Sequence, residues 1–102
     1  MVSIDLYKQE VKELTELLRN EWDDVRSVAE QNDLSPTNTF LLSFIEDEDE
    51  NETCLFFNTE KGLYLYEKNE DKISFKKVES SDVEKDFPQV KVVEDLENFD
   101  SW

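Results

Sequence analysis

The sequence predicts an α+β fold: one long amphipathic N-terminal helix packed on an antiparallel sheet of four to five strands, in the order α-β-β-β-β-(α)-β. Three observations predict it. Apolar residues across 4–31 recur in steps of three and four, the spacing of one helix face. Residues 37–78 then switch to two-residue alternation interrupted by turn chemistry. A helical stripe of this width needs a sheet face to bury it.

The stripe is Ile4, Tyr7, Val11, Leu14, Leu18, Val25 and Val28, interrupted where Glu21 takes an apolar slot, and Leu17 and Trp22 widen it. Ser3 is the expected N-cap, with Asp5 in the first turn where negative charge suits the helix dipole. The helix ends in Gln31-Asn32-Asp33-Leu34-Ser35-Pro36, because Asn and Asp favour turns and Pro36 lacks an N–H donor.

Residues 37–45 read as a first strand, with Phe40, Leu42 and Phe44 on one face and Leu41, Ser43 and Ile45 on the other. Both faces are largely apolar, which predicts a central place in the sheet. After the charged connection 46–52, residues 53–58 alternate Cys54 and Phe56 against Leu55 and Phe57. Thr59-Glu60-Lys61-Gly62 has turn chemistry, with Gly62 free to take positive φ. Residues 63–68 set Leu63 and Leu65 against Tyr64 and Tyr66; a second turn at Asn69-Glu70-Asp71 leads to a fourth strand at 72–78, with Ile73 and Phe75 inward. Short connections make this run an antiparallel meander, although the pattern does not set the full strand order.

Ser80 or Ser81 is the expected cap of a short helix over 82–87, with Glu84 in capping-box position behind Ser81. Pro88 ends it, and 89–93 reads as a short fifth strand. The expected division is a single α+β domain over 1–93 and an acidic C-terminal tail over 94–102, carrying Leu96, Phe99 and Trp102. In the core, Val11, Leu14, Leu18 and Val25 are expected to meet Phe40, Leu42 and Phe44.

With 102 residues the chain makes one domain. The lone Cys54 forms no internal disulfide, so nothing argues for an oxidising compartment. Residues 1–30 hold no uninterrupted apolar run, so neither a signal peptide nor a membrane span is expected, and the cytoplasm is the expected location.

The charge is the strongest compositional signal. With 27 acids against 11 bases, a net −16, the surface repels phosphate backbones and anionic lipid headgroups. Direct nucleic-acid and membrane binding are therefore not expected, whereas a basic protein would be attracted and steered. The plain alternative is acidity for solubility alone. The charge is uneven: residues 46–52 carry six acids and no base, 94–102 four acids and no base, and 59–91 eight acids with seven bases.

The catalytic inventory is thin. The chain has no histidine, which removes Ser-His-Asp and Cys-His arrangements. Cys54 lies in an apolar strand and reads as a core thiol. One glycine is too few for a phosphate-cradling loop. Carboxylates abound, but the sequence places no pair in an apolar cleft, so no catalytic residue and no cofactor is expected. Asp47, Asp49 and Asn51 fall at the first, third and fifth positions of a calcium loop; the sixth, however, is Glu52 where Gly is needed, and the twelfth is Asn58 inside a strand. No metal site is expected there.

The expected partner-binding residues are Glu46, Asp47, Glu48, Asp49, Glu50 and Glu52 of the acidic connection, Tyr64 and Tyr66 of the sheet, and Asp95, Glu97, Phe99, Asp100 and Trp102 of the tail. The second sheet face, holding some of Leu41, Ile45, Tyr64 and Tyr66, is rich in aromatic and branched residues where a polar face is usual, which marks an interaction site. The terminal segment, a homodimer mate or another protein would cover it. The function expected from these features is a small acidic cytoplasmic protein that binds and inhibits a basic partner. It would act in the manner of an immunity protein or antitoxin, or as a nucleic-acid mimic such as a phage anti-defence protein. A secretion-chaperone-like binding module is an alternative form, and a carboxylate-only metal-binding or enzymatic domain is the rival class.

Overall fold

In a computed structural model, residues 4–102 are described, with side chains from residue 5 onward. The expected cap Ser3 and the side chain of Ile4 therefore lie outside the described residues. The N-terminal helix packs on a four-stranded antiparallel sheet.

The long helix is in fact two. Helix α1 runs Ile4–Asn20 and α2 runs Asp23–Gln31, with a corner at Glu21 and Trp22. At the corner the N–H groups of both Glu21 and Trp22 turn back to the Leu17 carbonyl, at 2.9 and 2.7 Å. Trp22 leaves the helical path and packs its ring on Phe44, centroids 4.9 Å apart and tilted by 47°. Arg26 braces the bend, donating to the Arg19 carbonyl at 2.9 Å and pairing with Asp23. Helix α2 ends with Asp33 in the left-handed region (φ 62°) and the Leu34 N–H on the Ala29 carbonyl at 2.9 Å. That is a Schellman closure, and it drives Leu34 fully into the core.

A single 3-10 turn at Pro36–Asn38 leads into the meander: β1 Thr39–Glu46, β2 Glu52–Asn58, β3 Gly62–Asn69 and β4 Lys72–Val78, hydrogen-bonded in that order. Strand β1 is thus an edge strand, not the central one expected. Its two apolar faces have another cause: α1 lies along its free edge. The Leu41 N–H donates to Thr15 Oγ1 at 3.0 Å, and both residues are fully buried. The Arg19 guanidinium donates to the carbonyls of Pro36, Thr37 and Thr39 at 2.9, 3.1 and 3.3 Å. A helix straddling the edge can shed apolar side chains to both sides of the sheet.

It does so. The register slips between Leu41 and Ser43, so Leu42 is an extra, bulged residue. Phe40 and Leu42 therefore face one way, while Phe44 joins Leu41 on the opposite face. On the first face Val11 packs with Phe40, Leu42, Leu55, Leu63 and Leu65. On the second face Leu18 packs with Leu41, Cys54, Phe56 and Tyr66, and Leu14, Val25 and Phe44 lie at its margin. The expected packing of all four helix residues on Phe40, Leu42 and Phe44 is therefore divided between two clusters.

The C-terminal third departs most from expectation. The short helix is one turn, α3 Ser80–Val83, with Glu79 at its N-cap and no side-chain cap. The fifth strand is absent; Pro88–Ser101 is a train of 3-10 turns kinked at Asp95 and Asn98. Val83, Phe87, Val90, Val92 and Phe99 from this segment are buried against the first face. The segment works as a lid on a face rather than as another strand. Ile73, expected inward, is 63% exposed, and Phe75 is half-buried. Strand β4 keeps a free outer edge carrying Lys72, Lys76 and Lys77, all exposed.

Candidate functional site

The acidic connection is a built loop. Asp47 accepts the N–H groups of Asp49 and Asn51 at 2.9 and 3.0 Å, and the Asn51 side-chain amide at 3.0 Å. Those bonds, the Asn51 side chain first, hold its carboxyl below the usual carboxylate range. Glu50 takes the left-handed conformation (φ 64°) that closes the turn. Glu46, Glu48, Asp49 and Glu50 are exposed around this core, and Glu52 is half-buried at the foot of β2.

Register places the second-face side chains in rows across the sheet. One row is Phe44, Cys54, Tyr66 and Phe75; the next, toward the acidic loop, is Glu46, Glu52, Lys68 and Ile73. Glu46 and Glu52 are thus direct cross-strand partners of like charge. The α1–α2 corner hangs over these rows. Between corner and sheet lies a groove of about 700 Å³. Its floor is Trp22, Val25, Val28, Phe44 and Tyr66, and its rim is Glu21, Asp23, Asp24, Glu46 and Glu52, with Lys68 as the one basic member.

Electrostatics register this rim. Burial pushes the Cys54 thiol up to about 12, and Glu52 adds to the effect. Burial also raises Tyr66, with Glu52, Cys54 and then Asp24 contributing. Asp23 is already paired with Arg26. Among the described residues neither Glu46 nor Glu52 has a cationic nitrogen within 4.0 Å. No three carboxylates or thiols of the described residues converge as a metal would require.

The structure treats the expected binding residues unequally. Glu46 and Glu52 join the groove, and the loop acids Asp47, Glu48, Asp49 and Glu50 lie beside it. Tyr64 is half-buried and stacks on Phe75, centroids 5.3 Å apart, outside the groove. Tyr66 is 5% exposed and offers only what borders the groove. The tail residues are placed differently, most of them engaged within the fold. Phe99 is buried edge-on against Phe40 at 4.9 Å, because the segment carrying it closes the first face. Trp102 leans on Phe99 at 5.3 Å, under Lys8 at 5.6 Å. Asp95 pairs with Lys8, Lys12 donates to the Trp102 carbonyl at 3.1 Å, and Arg19 sits over Phe40 and Phe99. The bases of α1 hold this segment down. Only Glu97 and Asp100 of its expected binding residues stay exposed.

Sequence reasoning missed Glu21, Trp22, Asp23, Asp24 and Lys68. The signal for the corner was present: Glu21 in an apolar slot, followed by a Trp beside the stripe. Read as a helix interruption, it would have brought Asp23 and Asp24 off the helix face and toward the sheet. No helix of the described residues is long and apolar enough to cross a membrane. No family model matches the chain, and no match was found among curated proteins or solved structures.

Proposed function

We propose that this chain is a small cytoplasmic binding protein whose partner is a basic protein, and that it inhibits that partner by occupying a cationic surface. One observation carries the reading. Acids far apart in sequence, Glu21, Asp23 and Asp24 with Glu46 and Glu52, line one aromatic-floored groove. Carboxylates there stand where phosphates would stand on the partner's usual ligand, and the net −16 steers encounter. Immunity proteins, antitoxins and nucleic-acid mimics share this physics. The reading is non-catalytic: the chain has no histidine, and its one thiol is buried with its titration pushed up to about 12. A lone buried cysteine also suits a reducing compartment.

The test is capture from an extract of the source cell at low and high salt, with the wild type and with E48Q/D49N. These two acids are neutralised because Asp47 organises the loop and Glu48 and Asp49 only decorate it. A basic partner is expected, with association slowed by the double substitution and by salt. An acidic partner, or capture unmoved by salt, would defeat the reading.

A further inference from the structure

We propose that the groove seats one cationic side chain, arginine or lysine, of the partner protein. Its alkyl stem would lie on Trp22, Phe44 and Tyr66, and its charged head between Glu46, Glu52 and Asp24. This rests on the reading above and makes it specific to one place.

Two independent observations carry it. The first is the uncompensated pair. Glu46 and Glu52 face each other directly across β1 and β2 on the same side of the sheet, where like charges repel. Lys68 is the next residue in the row, yet it closes no ion pair within 4.0 Å with either. A cation arriving between the two glutamates and Asp24 relieves a repulsion that the free protein carries. The second is the floor. Trp22 and Phe44 are only half-buried, although they are among the largest side chains here and lie in contact. An aromatic face beside carboxylates suits guanidinium and ammonium groups, which favour the ring face and need a counter-charge. A long basic side chain presents an apolar stem and a charged tip, the same order as floor and rim. A neutral apolar anchor would instead bury four unpaired carboxylates, since among the described residues Asp23 alone of the rim acids has a basic partner.

The two tryptophans supply the test. Trp22 is in the groove, and Trp102 is on the other side of the sheet against Phe99. The ¹⁵N-labelled chain is titrated at low salt with acetylated, amidated Gly-Arg-Gly and Gly-Lys-Gly, and with the citrulline peptide, which has the shape of arginine without its charge. The expected result is a saturable shift of the Trp22 indole N–H with at least one cationic peptide. Citrulline and Trp102 should give none, and the two cationic arms show whether arginine or lysine is preferred. E46Q/E52Q should weaken binding by about threefold to tenfold, the loss of two partly exposed charge contacts. The same variant should unfold at higher urea, because it removes the like-charge pair; a mere failure to fold would give the opposite sign. Shifts confined to the amides of 47–51 would overturn the seat and leave a basic partner standing. Equal response to citrulline, or equal movement of Trp102, would overturn the seat too. Silence throughout the chain with both cationic peptides would count against the seat and the basic partner together.

Discussion

Replacing Thr15 with Val isolates the hydrogen bond that docks α1 to the sheet. The substitution keeps the shape and swaps the hydroxyl for a methyl. Thr15 Oγ1 is the acceptor for the Leu41 N–H at 3.0 Å, and neither residue has exposed surface. The amide is left buried and unpaired, which costs about 1–3 kcal/mol. The added methyl recovers only part of that, because the site is already filled. With a slope near 2 kcal/mol per molar urea, the unfolding midpoint should fall by about 0.5–1.5 M. Thr15→Ser is the control. It keeps the acceptor and loses one methyl, costing about 1 kcal/mol or less. Hydrogen exchange gives the local readout: the Leu41 amide should lose protection in Thr15→Val and keep it in Thr15→Ser. If Thr15→Val matches the wild type within about 0.3 kcal/mol, or the two variants fall equally, the bond does not dock the helix.

Leu18 is fully buried in the second cluster, so Leu18→Ala should cost roughly 2–5 kcal/mol by urea unfolding, and a smaller loss would mean the cavity collapses. Arg19→Lys keeps the charge but cannot span three carbonyls with one fork, so it should cost about 1–3 kcal/mol; a neutral result would deny the clamp. Cys54 should resist a thiol reagent at pH 8 in the native state and react at once in urea, because burial holds its thiol protonated up to about 12; fast native labelling would contradict that. Asp95 titrates below its ordinary range, because of Lys8 first and then Asn98. A carboxyl depressed by folding contributes stability above its unfolded value and loses it as pH falls through the folded one. Removing that contribution with Asp95→Asn should flatten the stability loss below about pH 4, and an unchanged acid limb would reject the pairing.

Much of the fold was written in periodicity. The step of three and four gave the helices, and alternation with turn residues gave the four-stranded meander. What periodicity does not encode is where a continuous stripe bends. Glu21 interrupted the stripe, but the turn itself shows only in the fold, where the helix breaks and Trp22 packs on Phe44. Nor does it encode a bulge: one extra residue at Leu42 moved Phe44 to the other face. Strand β1 looked central because both faces are apolar, and it is an edge because a helix can stand where a strand would. The C-terminal segment misled for a related reason. Gln89 to Val93 alternates like a strand, yet Val90 and Val92 serve a lid whose other contacts, Phe99 on Phe40, lie far along the chain. The candidate site was half legible. Its loop acids form an unmistakable charge run, while the groove needs the α1–α2 corner, which is a tertiary event.

The sheet has two unpaired edges, and the chain protects them by different means. The β4 edge carries Lys72, Lys76 and Lys77, charges that discourage another strand from adding there. The β1 edge has no such guard. From Thr39 to Ile45 it reads Thr-Phe-Leu-Leu-Ser-Phe-Ile, without a charge or a proline, the composition of a segment that stacks into cross-β fibrils. Helix α1 covers it, through the Thr15 and Arg19 hydrogen bonds, and so keeps it from templating other copies. Colloidal behaviour should therefore follow the attachment of this one helix more closely than global stability. Variants that loosen Thr15 or Arg19 are expected to aggregate under conditions where equally destabilised variants elsewhere stay dispersed, despite a net charge of −16.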